Sequence, residues 1–170
     1  MTDSARRDAA EAIALHGLAV PVIARARRVA CYLSMPSEPG TAPLITALQD
    51  HGIEVVVPVS LADRTLEWVV LDPAAPVVKS SLGIPEPGGP RHGPEALDTC
   101  SVVIAPALAV SHDGHRLGRG AGYYDRALSA VSAPICAVVF AHELLPDVPH
   151  EAHDVPVQMA LTPSGLFRVR

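Results

Sequence analysis

The segment HDGHRLGRGAGYYDR, His112 to Arg126, holds the densest set of residues in the chain able to do chemistry. Gly118, Gly120 and Gly122 can take positive φ and let a ligand approach the backbone, so that successive N–H groups converge on an anion such as a phosphate. Arg116 and Arg119 add full positive charges. Asp125 is a carboxylate of the kind that holds Mg²⁺, or a water of its shell, beside a phosphate. The segment follows an apolar run and leads into a helical pattern, the context in which a glycine-rich loop is informative, and the N-terminus of that helix would add partial positive charge. The same residues also admit a plainer reading: a tight glycine turn, Tyr123 and Tyr124 as core aromatics, and Asp125 as a helix-start charge. Spacing alone leaves both open.

The elements that must position this loop are legible as periodic runs. Ser4 to His16 reads as a helix closed by Gly17, Arg28 to Leu33 as a strand, and Thr41 to His51 as a helix closed by Gly52. EVVVPV, starting at Glu54, is β-branched without alternation, as strands buried on both faces are. Leu66 to Leu71 is a shorter strand, and Ser101 to Val110 a buried strand running straight into the loop. Asp72 to Pro94 is a Pro/Gly-rich surface loop. Beyond the glycines, Tyr123 to Val131 is helical and Ile135 to Phe140 a central strand. Strands alternating with helices predict one three-layer α/β domain, residues 1–170, with a mostly parallel central sheet. In such sheets ligands collect beyond the carboxyl ends of the strands.

Composition narrows the function. The chain has 170 residues and 49% hydrophobic content, enough for one substantial core. Its 13 Lys plus Arg stand against 18 Asp plus Glu, a net charge of −5, which offers no basic field for nucleic acid or an anionic membrane. No apolar run approaches the roughly 20 residues that span a bilayer, and MTDSARRDAAEA lacks a signal-peptide core, so a cytoplasmic monomer is expected. Cys31, Cys100 and Cys136 stand far apart and read as unpaired, mostly buried thiols. Of eight histidines, His112/His115 and His150/His153 form the only suggestive pairs, and neither has helical i, i+4 spacing or a nearby cysteine. They read as solvated loop residues, with His115 close enough to Arg116 to touch a ligand.

RLGRGAGYYDR resembles the signature of the 5-formyltetrahydrofolate cyclo-ligases, also called methenyltetrahydrofolate synthetases. YLSMPSEPGT (Tyr32 to Thr41), GIPEP (Gly83 to Pro87) and HDVPV (His153 to Val157) resemble three further motifs of that family, in family order. The resemblance implies ATP- and Mg²⁺-dependent conversion of 5-formyltetrahydrofolate to 5,10-methenyltetrahydrofolate, releasing ADP and phosphate, on a fold related to sugar-phosphate isomerases. The formyl oxygen would attack the γ-phosphate in line, and N10 would then close the ring. Arg116, Leu117, Gly118, Arg119, Gly120, Ala121, Gly122 and Tyr123 would line ATP. Arg116, Arg119 and Asp125 would form the catalytic set, with Asp125 holding Mg²⁺. Glu38, Met35 and Tyr124 would contact the folate, with the GIPEP loop as a further apolar wall.

Three departures from the family pattern stand out. The N-terminal helix that usually carries Lys and Arg toward ATP is short here, leaving Arg6 and Arg7 as its cations. Gln158 stands where an Asp often joins the metal site, so it is expected as a second, uncharged Mg²⁺ ligand. Ala121 replaces a usual Gly or Lys. Two other readings remain: a folate- or nucleotide-binding paralogue without turnover, and a phosphosugar isomerase or sensor domain, the latter resting on fold analogy alone.

Overall fold

The computed structural model describes residues 1–79 and 85–169. Along the chain it forms α1 (Asp3–Leu18), α2 (Pro21–Ala24), β1 (Arg28–Cys31), α3 (Ala42–Asp50), β2 (Glu54–Ser60) and β3 (Leu66–Val70). There follow a small hairpin, β4 (Val77–Lys79) and β5 (Pro85–Pro87), a 3-10 turn at Pro94–Thr99, β6 (Val103–Pro106), β7 (Ala109–Ser111) and β8 (Arg116–Leu117). The chain ends with α4 (Tyr123–Leu128), β9 (Ile135–Val138), β10 (Leu144–Leu145), β11 (Met159–Thr162) and β12 (Gly165–Arg168).

One seven-stranded sheet runs in the order β12-β11-β9-β6-β1-β2-β3. From β11 to β2 every neighbouring pair is parallel, and only the edges β12 and β3 are antiparallel. Side chains of the central strands are buried alternately on opposite faces, as the period of two requires. Val29, Cys31, Val55 and Val57 pack with Ile13, Ile23, Leu44 and Leu48 of the helices on one face. Ala30, Val56 and Val103 pack with Trp68, Leu97 and Leu128 on the other. Both faces are therefore covered, which is the three-layer arrangement expected from the β-branched runs. Cys31, Cys100 and Cys136 are all unpaired and buried. Burial pushes the Cys136 thiol up to about 12.

From β1 the chain moves outward to β2, whereas β6 lies on the other side of β1 and leads on to β9 and β11. The direction of winding reverses between β1 and β6. Loops leaving the carboxyl ends of these two strands diverge there, opening the crevice in which α/β sheets take their ligands. The β1 loop carries Met35 and Glu38, and the chain leaving β6 carries the glycine-rich segment.

Several boundaries differ from the sequence expectation. Ser101 to Val110 is not one strand: the ladder ends at Pro106, and Ala109–Ser111 joins a separate three-stranded sheet, β10-β7-β8. Pro106 supplies no N–H to continue the ladder. The Asp72–Pro94 loop contains the β4–β5 hairpin, and its GIPEP motif falls partly outside the described residues. Gly52, with φ of 73°, does close α3, whereas Gly17 does not close α1.

Gly17 lies within α1, where a β-carbon would sit 2.8 Å from Leu44 Cδ1 and 3.3 Å from Leu161 Cδ2. It leaves room between packed layers rather than stopping the helix. Gly17→Ala should gain about 1 kcal/mol in helix propensity. It should lose roughly 2 kcal/mol by overpacking, because Leu44 and Leu161 are fully buried and have nowhere to move. A net fall in stability of about 1 kcal/mol is expected in urea unfolding.

Candidate active site

The β1 loop is held by its own side chains. Thr41, fully buried, donates from its hydroxyl to the Tyr32 carbonyl at 2.7 Å and accepts from the Ser34 N–H at 3.2 Å. Ser34 Oγ in turn accepts from the Thr41 N–H at 3.1 Å. These bonds cinch the two ends of the loop together. Between them Glu38 folds back, its Oε2 accepting from the Met35 N–H at 2.8 Å. At Gly40 a β-carbon would stand 2.9 Å from Ala10 Cβ, so the glycine lets α1 approach the loop. That approach brings Arg6 of α1 onto the Pro36 carbonyl. Arg6, Met35, Pro36, Glu38, Gly40 and Phe140 are among the residues lining a cavity of about 240 Å³.

The glycine-rich loop has an exposed tip and a buried base. Gly120 and Gly122 have φ of 78° and 73°, and Gly122 immediately precedes α4. Among the described residues, the backbone N–H groups from Gly118 to Gly122 donate to no protein acceptor. An exposed run of free N–H groups with two left-handed glycines is a ready cradle for an anion. With six residues, α4 adds little dipole of its own. Arg119, the cation at the tip, is half-exposed and reaches across to the β1 loop, donating from Nη2 to Ser37 Oγ at 3.0 Å and to Glu38 Oε1 at 3.2 Å.

Arg116 behaves differently from Arg119. Its side chain is only 3% exposed, and its Nη2 is hydrogen-bonded to Asp125 Oδ1. The guanidinium carbon lies 5.9 Å from the centre of the Tyr124 ring. Arg116 thus ties β8 to α4 under the loop and meets Asp125 rather than open solvent. Gly118 accommodates it, since a β-carbon there would be 3.2 Å from Arg116 Nη1. Asp125 keeps Oδ2 unpaired among the described residues and is partly exposed, so it can offer one carboxylate oxygen to a hydrated divalent cation.

The tyrosines serve packing with their rings. Tyr123 donates its hydroxyl to the Leu61 carbonyl at 3.0 Å. Tyr124 meets Trp68 edge-on at 6.5 Å, and its buried hydroxyl has no partner. Burial pushes the Tyr124 pKa up, so the phenol stays neutral. The plainer reading of these two rings is the one their surroundings match, while the Tyr123 backbone N–H remains part of the loop.

Gln158 is not brought to this cluster. It precedes β11 at the amino ends of the strands, with Oε1 accepting from the Ile135 N–H at 2.8 Å and Nε2 donating to the Pro156 carbonyl at 3.2 Å. Asp125 lies on the segment beyond the carboxyl ends, so Gln158 is corrected from metal ligand to a tie between β9 and the chain before β11. Gln158→Asp should therefore leave the Mg²⁺ dependence of activity unchanged and lower stability by about 1 kcal/mol, the scale of a lost hydrogen bond. Activity against Mg²⁺, with a thermal melt, checks both.

His115 is not a free loop residue either. It stacks on His150 with ring centres 3.5 Å apart, and its Nδ1 is 3.1 Å from Asp113. That carboxylate, bonded by Ser111 and His115, is held down at about 2. Among the described residues no cluster of three or more His, Cys, Asp or Glu side chains could hold a metal. No described helix is long and apolar enough to cross a membrane. Sequence reasoning missed Ser37 and Phe140 at the site; Ser37 sits inside the SEPGT motif, but nothing local marks Phe140, which arrives from the end of β9.

A doubly covered, mostly parallel sheet with a cationic glycine loop and a small cavity at its switch point is the architecture of α/β proteins that take ligands beyond the carboxyl ends of their strands. The chain belongs to the 5-formyltetrahydrofolate cyclo-ligase family, whose family model matches residues 1–163. A Mycolicibacterium smegmatis 5-formyltetrahydrofolate cyclo-ligase is 39% identical over 168 residues, covering 94% of this chain and 86% of the relative. The Escherichia coli enzyme of the same name is 30% identical over 172 residues, covering 98% and 94%. The solved structure of Aquifex aeolicus 5,10-methenyltetrahydrofolate synthetase superposes with a TM-score of 0.83 at 26% identity, covering 100% of this chain and 86% of that one. A Mycoplasma pneumoniae methenyltetrahydrofolate synthetase, 17% identical with a TM-score of 0.70, shares the fold.

Proposed function

We propose that this chain closes 5-formyltetrahydrofolate to 5,10-methenyltetrahydrofolate at the expense of ATP, with Mg²⁺ bound at Asp125. The observation that carries this reading is the meeting of Glu38 and Arg119 at the switch point, since it joins a loop suited to phosphate with a residue that lines the adjoining cavity. Family membership supports the reaction and the use of ATP.

In this reading the free N–H groups from Gly118 to Gly122 hold phosphate oxygens, and Arg119 neutralises charge as it shifts toward the leaving phosphate. Met35 and Phe140 flank the folate, and Glu38 accepts a hydrogen bond from its pterin. Arg116 orients Asp125. Mg²⁺ held by Asp125 would supply charge neutralisation to the phosphates. Phosphoryl transfer asks chiefly for such positioning and needs no protein nucleophile.

Incubating the protein with 5-formyltetrahydrofolate, Mg²⁺ and ATP should produce the near-ultraviolet band of the methenyl product, with ADP formed in equal amount. Binding of both ligands without product would identify a binding paralogue instead. Binding of neither would reject the assignment.

A further inference from the structure

Arg119 and Glu38 are separated by 81 residues in sequence, yet their side chains meet where the glycine-rich loop faces the β1 loop. Both Glu38 carboxylate oxygens are already used, Oε2 by the Met35 N–H and Oε1 by Arg119. Arg119 Nε also donates to Glu38 Oε1 at 3.3 Å, and Ser37 Oγ adds a third contact to the same guanidinium. Glu38 is nearly buried, with 9% of its side chain exposed, while Arg119 is 48% exposed. The adjoining cavity of about 240 Å³ is smaller than the roughly 300–1,000 Å³ typical of pockets that enclose a drug-sized ligand.

We propose that the Arg119–Glu38–Ser37 bridge is a latch that couples the two substrate subsites by being broken once for both. This rests on the reading above, in which Arg119 faces phosphate and Glu38 faces the pterin. A nucleotide binding alone must draw Arg119 away from Glu38 and Ser37. A folate binding alone must take Glu38 Oε1 from Arg119. Whichever ligand arrives first bears the full cost of opening the bridge, and the second binds a site already open. Each ligand therefore tightens the other by the same factor, as linkage requires. The bridge spans a nearly buried and a half-exposed group, so that factor should be about three- to fivefold, the upper scale of partly exposed ion pairs.

Ser37→Ala is the discriminating variant. It weakens the bridge but removes no group assigned to either ligand. Calorimetric titration of 5-formyltetrahydrofolate is carried out with and without a saturating non-hydrolysable ATP analogue and Mg²⁺, and the analogue is titrated alone. In the wild type the analogue should tighten folate binding three- to fivefold. In Ser37→Ala that factor should shrink toward one, and the analogue alone should bind about twofold more tightly than to wild type. This last shift separates the latch from direct attraction between the two bound ligands, which cannot alter the affinity for one ligand alone. Binding of both ligands to the wild type with a factor of one, or full wild-type coupling in Ser37→Ala, would overturn the latch while leaving the proposed reaction standing. Binding of neither ligand would overturn both.

Discussion

Asp125→Asn is expected to lower turnover at least a hundredfold, about 2.7 kcal/mol, because it removes a carboxylate oxygen free to face a hydrated cation beside the glycine loop. The change also touches stability. Arg116 is 3% exposed and has Asp125 as its anionic partner, so the amide leaves a buried guanidinium without a counter-charge. An amide oxygen still accepts a hydrogen bond, and the Asp125 position is partly open to water. The loss should therefore be about 2 kcal/mol rather than the larger cost of a wholly orphaned charge. Activity must be measured well below the melting temperature, across a range of Mg²⁺ concentrations. The two effects are then separable: the fall in kcat should persist where circular dichroism shows the protein folded. Wild-type turnover with wild-type Mg²⁺ dependence would mean that Asp125 serves only to neutralise Arg116.

How much of this was legible in the sequence depends on whether the information was local. The central strands were readable because runs such as EVVVPV bury both faces and so lose polar alternation. The loop was readable because three glycines, two arginines and an aspartate fall within one short segment between a strand and a helix. The break at Pro106 was also written in the chain, but a continuous apolar run through Ala109 and Val110 hides the change of sheet. Gly17 misled for a similar reason: glycine at a helix end and glycine at a helix crossing look alike until the facing Leu44 and Leu161 are known. Non-local pairings were illegible. Nothing in the spacing of Ser37, Glu38 and Arg119 announces that they meet, nor that His115 stacks on His150. Gln158 was misplaced because a motif position carries no direction along the sheet, whereas its bond to the Ile135 N–H fixes it at the amino ends.

Arg116→Lys is expected to cost about thirty- to a hundredfold in kcat while changing the KM for ATP by less than about threefold, a pattern that marks a positioning residue. The resemblance assigned Arg116 to the phosphates, but its guanidinium is buried at the base of the loop. It donates to Asp125 Oδ1, lies against the Tyr124 ring and fills the space that Gly118 leaves. Lysine keeps the charge but loses the planar fork, so it cannot fix the carboxylate while resting on the ring. Asp125 should then sample orientations that face the metal poorly, and the Mg²⁺ concentration for half-maximal activity should rise. Because both residues act through one carboxylate, the Arg116→Lys, Asp125→Asn double variant should be within about threefold of Asp125→Asn alone, the non-additivity of groups in direct contact. A direct phosphate contact predicts the opposite on both counts. The KM for ATP would rise tenfold or more in Arg116→Lys, and the two losses would multiply in the double variant, since a cation on the phosphate and a carboxylate on the metal would then be stabilising separate parts of the same transition state.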